Sequence, residues 1–592
     1  MTWEIGAVLA VLVVTVILFA TEKLAIDLIA IALMAGLVAS GLLTPEQGLA
    51  GLGNSATVTV AAMFVLSEAL RRTGALDVVG DQLVRIADRS FWLAAAAMMV
   101  LVGVISAFIN NTAAVAVFLP IVLAFSRDAG VSPSKLLIPL SFAGIFGGTC
   151  TLIGTSTNVL LDSIATRSGQ EAIGMFELAP LGLVLFAAGV VYLLLAGMRI
   201  LPSRGSEGDL TESYGMHDYL FELRVSDESG AVGKRLPETD LVRDLDLDVL
   251  FVSRDGEKRP ANEGSTARAG DTLVVRGGTA VITRLREWPG VEVRPQSAWR
   301  DEDVGTEDTI LVEVVVGPNS PLVGRKLRRA RLPAQFPAAV LAIRHGGRVV
   351  HEELSDYELR SGDVLLVETE AGSAAALRSG RAFVFVSELD PDAPRRPGKL
   401  GPSLAVLATV VTLAATGVLP VVAAAVCGCV AVVLLRCLTL EEAYQAIDWR
   451  IVLLLAGVLS LGAAMETTGT ALWLSERVVG LFGRFGNEAL VSAFFLLTAL
   501  LTAAMSNNAT AALLAPIALA TAESLGVSPR PFLMAIVYGA SACFMTPVGY
   551  QTNTLVYGPG EYRFADFLRV GTPLVLLFWG VASLLIPRIW PL

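Results

Sequence analysis

Long apolar runs alternate with short polar islands along the chain, and the same order occurs twice. Runs near 5–20, 24–43, 55–70 and 178–200 have the length and apolarity of membrane-crossing helices, and so do runs near 402–417, 419–436, 450–466 and 570–588. Other runs are interrupted. Residues 91–126 break at Asn110-Asn111-Thr112 and residues 488–524 at Ser506-Asn507-Asn508, each predicting a helical hairpin that dips into the membrane. Residues 136–165, broken at Thr149–Asn158, and 531–556 predict discontinuous helices. The expected fold is a polytopic α-helical membrane protein of two inverted repeats, each of about five spans plus a re-entrant hairpin. An odd number of crossings turns the second repeat over.

The islands pair at about 396 residues. Ser106-Ala-Phe-Ile-Asn110-Asn111-Thr112, closed by Pro120, matches Thr502-Ala-Ala-Met-Ser506-Asn507-Asn508, closed by Pro516. Thr151-Leu-Ile-Gly154-Thr155-Ser156-Thr157-Asn158 is echoed by Thr546-Pro-Val-Gly549-Tyr550-Gln551-Thr552-Asn553. Polar side chains are costly in a bilayer unless they have partners. Doublets that recur at breaks in both halves point to a transport site at a repeat interface. The bland alternative, that Asn and Thr merely tie helices together, fits a single island better than two matched pairs.

The middle of the chain breaks the pattern. Residues 203–397 carry most of the charge between linkers rich in Pro, Gly and Arg, and short Val/Leu runs ending in Gly-Asp turns predict strands. The block is duplicated with a period of about 91: Val232-Gly233-Lys-Arg-Leu236 matches Val323-Gly324-Arg-Lys-Leu327, and Ala269-Gly270-Asp271-Thr-Leu273 matches Ser361-Gly362-Asp363-Val-Leu365. The expected domains are an N-terminal transmembrane repeat (1–202), two small soluble domains (203–297 and 298–397) and a C-terminal transmembrane repeat (398–592). No Gly-x-Gly-x-x-Gly phosphate loop precedes either copy.

The chain is 54% hydrophobic and 17% charged, against about 25% charged in an average soluble domain. Its net charge of −11 argues against nucleic acid as a partner. Glu4 is the only charged side chain in Met1–Ala20, so this segment is read as a retained first span rather than a signal peptide. With an outside N-terminus, Lys23, Arg71, Arg72, Arg85, Arg89, Arg127, Lys135, Arg199, Arg436 and Arg450 fall inside, whereas Arg167, Arg477, Arg484 and Arg530 fall outside. That orientation makes the soluble block cytoplasmic, in a multi-pass protein of the inner cell membrane. The five cysteines lie in or beside apolar segments and read as free buried thiols. Asp27, Glu68 and Glu466 lie near span ends and read as structural, Glu68 pairing with Arg71 or Arg72; the basic run Lys326, Arg328, Arg329 and Arg331 reads as a solvated surface.

Hydroxyls, asparagine amides and carbonyls freed at a helix break supply the oxygens a Na⁺ ion needs. Ser106, Asn110 and Asn111 facing Gly147–Thr151, with Gly148 and Cys150, form one expected Na⁺ cage. Thr502, Ser506 and Asn507 facing Ser541–Thr546, with Thr546, form its mirror. Asn111, Thr112, Thr157, Asn158, Asn507, Asn508, Thr552 and Asn553 are candidates to contact an anion. Residues 91–126, 136–161, 489–522 and 531–560 contain no Asp, Glu, Lys, Arg or His. A proton-coupled carrier needs a titratable group on its path, so Na⁺ is the expected coupling ion, with no organic cofactor. Bound Na⁺ would also offset the desolvation of a dianion that has no Arg partner.

The islands resemble the paired Ser-Asn-Thr motifs of the divalent anion:sodium symporter family. The resemblance covers both apolar halves, roughly two thirds of the chain, and the interrupting block resembles the tandem TrkA-C domains of the family's sulfate-transporter branch. The resemblance implies a homodimer with a scaffold and a moving transport domain, an elevator motion, Na⁺ held by the motif residues and substrate between them. The first motif here carries Asn110 for Ser and the second Asn508 for Thr, while the family's Thr-Pro-Pro-Asn loops read Thr155-Ser156-Thr157-Asn158 and Tyr550-Gln551-Thr552-Asn553. More donors and fewer prolines than in dicarboxylate carriers suit a compact tetrahedral oxyanion such as sulfate. The expectation is therefore a transporter rather than an enzyme. Two alternatives stay open: an exchanger or efflux carrier of the same superfold (dicarboxylate, arsenite-type or Na⁺/H⁺), and a membrane sensor signalling through the TrkA-C block. That block could bind a small-molecule ligand of unread identity.

Overall fold

The structure is a computed structural model. It describes residues 2–592 apart from 22–23, 25, 75–90, 129–130, 205–219, 246, 255–256, 262–264, 277–283, 286–287, 295–308, 318–319, 328–337, 346–347, 351–353, 371–382, 386–395 and 483–485. Lys23, Arg85, Arg89, Arg328, Arg329, Arg331, Arg484 and most of both linkers therefore lie outside the described residues. The chain divides into two compact units. One comprises Met1–Ser203, Leu389–Val556 and Arg563–Leu592; the other comprises Arg204–Glu388 and Tyr557–Tyr562.

The first unit is helical. Ala179–Ile200, Trp449–Thr467 and Phe564–Ile589 are long and apolar enough to cross a membrane, and shorter apolar helices include Trp3–Phe19, Ile26–Ala39, Leu400–Ala415 and Val421–Leu434. Several crossings depend on glycine. A Cβ on Gly457 would lie 2.7 Å from the Ala30 carbonyl oxygen, and one on Gly51 2.4 Å from that of Ala456. Helices without a hydrophobic drive to associate in lipid gain by such close backbone approach.

Charged groups gather at one set of helix ends. Glu68 accepts from both Arg71 and Arg72, at 2.6 and 2.8 Å, and Arg72 reaches on to Glu442 at 2.8 Å. Arg396 pairs with the same Glu442 at 3.1 Å, and its backbone N–H donates to the Arg72 carbonyl. The pair expected for Glu68 is thus one corner of a network joining Ser55–Arg72 to Leu440–Ala446. Glu466 accepts from Ser168 Oγ at 3.0 Å.

The second unit is two antiparallel five-stranded sheets. The first contains β1 (Leu220–Val225), β2 (Asp248–Arg254), β3 (Glu257–Pro260), β4 (Thr272–Arg276) and β5 (Val291–Arg294), in the order β3-β2-β4-β1-β5. The second contains β6 (Thr309–Val316), β7 (Ala338–His345), β8 (Arg348–Val350), β9 (Val364–Glu370) and β10 (Phe383–Phe385), in the order β8-β7-β9-β6-β10. The two orders are the same. The likeness extends to an irregularity between Val249 and Phe251 on β2 and between Val340 and Ala342 on β7, which stand 91 residues apart. A shared β-bulge is a feature that chance patterning does not repeat.

Each sheet is pinned by the aspartate of its Gly-Asp turn. Asp271 accepts from Arg254 Nε and Nη2, both at 2.8 Å, and from the Arg268 N–H at 2.8 Å. Asp363 accepts from the Arg360 N–H at 2.7 Å and lies 2.5 Å from His345 Nδ1, so a histidine stands where the first copy has Arg254. Burial raises the Asp271 carboxyl, but the hydrogen bonds and charge of Arg254 outweigh it and hold the group below its ordinary value. A depressed folded-state value gives stability that is present above the unfolded-state value of about 3.9 and is lost as pH falls through the folded one. Acidification below about pH 4 is therefore expected to loosen the first sheet. Hydrogen exchange over β1, β2 and β4 measures this, and Asp271→Asn should remove the pH dependence along with the stability.

Candidate functional site

Four broken segments build the site. The first hairpin is Phe91–Ser106 followed by Asn111–Asp128, and the second is Asn487–Thr502 followed by Asn507–Leu525. The first discontinuous helix is Leu137–Gly148 and Ser156–Arg167; the second is Arg530–Ser541 and Gln551–Tyr557. Every break falls on a polar island, because the islands offer what a helix end needs. Asn110 Oδ1 accepts from the Thr112 N–H at 2.9 Å, and Ser506 Oγ accepts from the Ala509 N–H at 3.3 Å. Both are caps that satisfy the first free N–H groups of the helices they precede.

Inside each hairpin the same pair forms. Ser106 Oγ donates to Asn111 Oδ1 at 2.6 Å, and Thr502 Oγ1 donates to Asn507 Oδ1 at 2.7 Å. All four side chains are buried. Each hairpin is then fastened to the break of its own half. Thr151 Oγ1 donates to the Ala107 carbonyl, and Thr546 Oγ1 donates to the Ala503 carbonyl at 2.8 Å. The same two hydroxyls accept from the Gly154 and Gly549 N–H groups, at 3.1 and 3.0 Å. Asn158 Nδ2 donates to the Gly148 and Thr151 carbonyls, and Asn553 Nδ2 to the Cys543 and Thr546 carbonyls. These bonds recur at 395 or 396 residues.

The structure brings most of the expected cation ligands together. A Cβ on Gly148 would lie 2.7 Å from both amide atoms of Asn111, so only glycine lets the first break approach the hairpin tip that closely. At the corresponding place in the other half stands Cys543, whose Sγ accepts from Asn507 Nδ2 at 3.5 Å. Thr502 Oγ1 also lies 3.1 Å from the Ala540 carbonyl. Asn110 and Ser506 depart from expectation, because their side-chain oxygens face helix N–H groups as caps. Cys150 is buried with its thiol donating to the Phe146 carbonyl at 3.5 Å, which turns it towards the preceding helix.

The halves meet through the residues expected to contact an anion. Thr157 Oγ1 donates to Asn508 Oδ1 at 2.8 Å, and Asn508 Nδ2 donates to Ser156 Oγ at 3.1 Å. Opposite, Asn111 Nδ2 donates to Tyr550 Oη at 3.0 Å, and Thr112 Oγ1 donates to Gln551 Oε1 at 3.0 Å. Thr552 and Asn553 lie 2.8 and 2.7 Å from Ser141 Oγ. Sequence reasoning missed Ser141, Ser156, Tyr550 and Gln551 as contact residues. Ser141 had a signal, a hydroxyl inside an otherwise apolar helix.

One asymmetry stands out. Asn553 Oδ1 accepts from Ser141, but Asn158 Oδ1 has no partner among the described residues although it is fully buried. The position 395 residues after Ser141 is Ile536, which carries no donor. The first half therefore keeps a free acceptor oxygen that the second half has closed.

The arrangement is one of neutral oxygens and N–H donors, built twice. The citrate transporter (CitMHS) family profile matches residues 16–526 and 478–592. The chain belongs to this family. It is 37% identical over 597 residues to an uncharacterized transporter of Synechocystis sp., covering 99% of this chain and 97% of the relative. It is 32% identical to the uncharacterized transporter YfbS of Escherichia coli across the full length of both. It is 24% identical to sodium/sulfate cotransporter 1 of Chlamydomonas reinhardtii, covering 92% of this chain and 85% of the relative. The protein is thus a multi-pass secondary transporter of the citrate and divalent-anion symporter group.

Proposed function

We propose that this transporter carries a divalent inorganic anion, sulfate first among them, into the cell together with Na⁺. The observation that carries the proposal is the mirrored pair Ser106–Asn111 and Thr502–Asn507, two buried sets of neutral oxygens beside freed backbone carbonyls. Such oxygens suit a hard monovalent cation, and residues 91–126, 136–161, 489–522 and 531–560 hold no Asp, Glu, Lys, Arg or His to carry a proton instead. The sodium/sulfate cotransporter among its relatives supports the same reading over most of the chain.

On this reading Ser106, Asn111, Thr502 and Asn507 hold Na⁺ with carbonyls near Gly148 and Cys543. Thr112, Thr157, Asn508 and Thr552 present donors to the anion. The two halves are inverted repeats, and the hairpins and broken helices move as one body against a scaffold of uninterrupted helices in a homodimer. The duplicated sheets are TrkA-C-like domains on the cytoplasmic side. Cation and anion bind together because each reduces the cost of burying the other.

Radiolabelled sulfate uptake into proteoliposomes, with and without an inward Na⁺ gradient and with unlabelled succinate as competitor, tests this. Na⁺-dependent uptake that succinate leaves untouched is the expected result. Uptake indifferent to Na⁺ would overturn the symport reading in favour of an exchanger. Competition by succinate would move the substrate to dicarboxylates.

A further inference from the structure

The helix Gln551–Tyr557 stops short. Its counterpart 395 residues earlier, Ser156–Arg167, runs five residues further, over the positions that correspond to 558–562. In the second half those positions read Gly558-Pro559-Gly560-Glu561-Tyr562, and a proline between two glycines ends a helix. The chain turns there: the Glu561 N–H donates to the Gly558 carbonyl at 2.9 Å, and the Tyr562 N–H donates to that of Tyr557 at 3.1 Å. Tyr557–Tyr562 belongs to the second compact unit, although the chain on either side of it belongs to the first. Within that unit the segment packs on the second sheet. A Cβ on Gly558 would lie 2.2 Å from the Gly362 carbonyl oxygen, in the Gly-Asp turn. Arg344 Nη1 lies 3.0 Å from Glu561 Oε1, with the Arg344 side chain 7% exposed, and Arg204 Nη1 donates to the Glu561 carbonyl at 2.9 Å. The His345 ring stands against that of Tyr557, with centroids 6.2 Å apart.

The first sheet carries different residues at both places. Arg344 sits opposite Val364 in the ladder, and opposite the equivalent Thr272 stands Ser253. His345 likewise stands where the first copy has Arg254. The duplicated sheet is thus altered at the two residues that meet 557–562. Glu561 has φ +51°, a left-handed backbone that a glutamate keeps only when its surroundings impose it. We propose that the second sheet is a brake on the transport cycle, with Arg344–Glu561 as its latch. The inference rests on the transport reading above, in which the broken helices move. The helix Gln551–Tyr557 carries Gln551, Thr552 and Asn553 at one end and runs into the clamped segment at the other. It shifts only when the segment lets go, and strain at Glu561 makes the clamp one that can let go in every cycle. The latch therefore adds to the barrier between the two states and not to the binding of either ion.

The test is the initial rate of labelled sulfate uptake, or of succinate if wild type prefers it, by the full chain in proteoliposomes under an inward Na⁺ gradient. Wild type is compared with Glu561→Gln, which keeps the size of the side chain, and with Arg344→Ser, which installs the residue of the first sheet. Both variants are expected to raise the maximal rate about threefold or more, the effect of taking part of one charge-assisted hydrogen bond off the barrier. The half-saturating concentrations of Na⁺ and anion should not change. Hydrogen exchange over 557–562 should rise in both, which reports the clamp as opened. Damage to the fold does not make a carrier faster, so a gain in rate separates a latch from a structural contact. If Arg344→Ser does not purify as a monodisperse species, Arg344→Gln takes its place with the same expectation. A loosened segment with a wild-type or lower maximal rate overturns the proposal, and so does exchange that stays at the wild-type level; in both cases Na⁺-coupled anion transport still stands. Wild type with no Na⁺-driven uptake of either anion overturns both.

Discussion

Asn507→Ala and Asn111→Ala are each expected to abolish Na⁺-driven anion uptake while the protein still inserts and purifies intact. Within the fold each amide oxygen accepts a single hydroxyl, from Thr502 or Ser106. Leaving one such buried group unpaired costs about 1–3 kcal/mol, and Thr502 Oγ1 retains the Ala540 carbonyl at 3.1 Å as an alternative. A bond to a charged partner is worth about 1.5–3 kcal/mol, which is roughly 10–150-fold in Na⁺ affinity. On the proposed reading transport needs both cages filled, so weakening either one is felt by the whole cycle. The caps should behave oppositely. Ser506→Ala removes the acceptor for the Ala509 N–H and should cost about 1 kcal/mol of stability with the half-saturating Na⁺ concentration unchanged. Uptake measured against Na⁺ concentration, beside thermal unfolding, separates ligand from cap. Wild-type uptake in both asparagine variants would remove the site assignment.

Much of this site was legible in the sequence because lipid makes polarity expensive. Asn110-Asn111-Thr112 and Ser506-Asn507-Asn508 could sit in apolar runs only where the backbone breaks, and the structure breaks there. The division of labour within each island was not legible. Asn110 and Asn111 are the same residue type one position apart, and only the helix start makes the first a cap and the second a buried partner of Ser106. Cross-half contacts were also hidden, because pairing Ser141 with Asn553 joins positions 412 residues apart and no local pattern records it. In the soluble block the period of about 91 showed the duplication, and the common strand order and bulge add what a period alone lacks. The Arg254-for-His345 exchange became meaningful only once both were seen on equivalent aspartates.

Gly571→Ala is expected to cost stability and most of the transport activity, whereas Gly580→Ala nine residues further along the same helix should do neither. A Cβ at 571 would lie 2.0 Å from the Phe544 carbonyl oxygen, 2.4 Å from its carbon and 2.9 Å from the Met545 nitrogen. These are backbone atoms of the second break, so no rotamer change relieves the collision. Phe544 is itself wedged among Phe142, Phe146 and Phe578, with ring centroids 4.9, 5.4 and 5.2 Å away. The break must move, and with it Cys543 and Thr546, whose carbonyls anchor Asn553. Overpacking of this kind costs about 1–3 kcal/mol and sometimes more. The matching contact in the other half is looser: a Cβ on Gly182 would lie 2.8 Å from the Thr149 carbonyl oxygen. Gly182→Ala should therefore give a smaller loss of the same kind. At Gly580 nothing lies within 4 Å, and alanine there should gain up to about 1 kcal/mol from helix propensity alone. Thermal unfolding and sulfate uptake across the three variants rank them. Equal behaviour of Gly571→Ala and Gly580→Ala would mean that the helix does not press on the break, and that other contacts set the break's position.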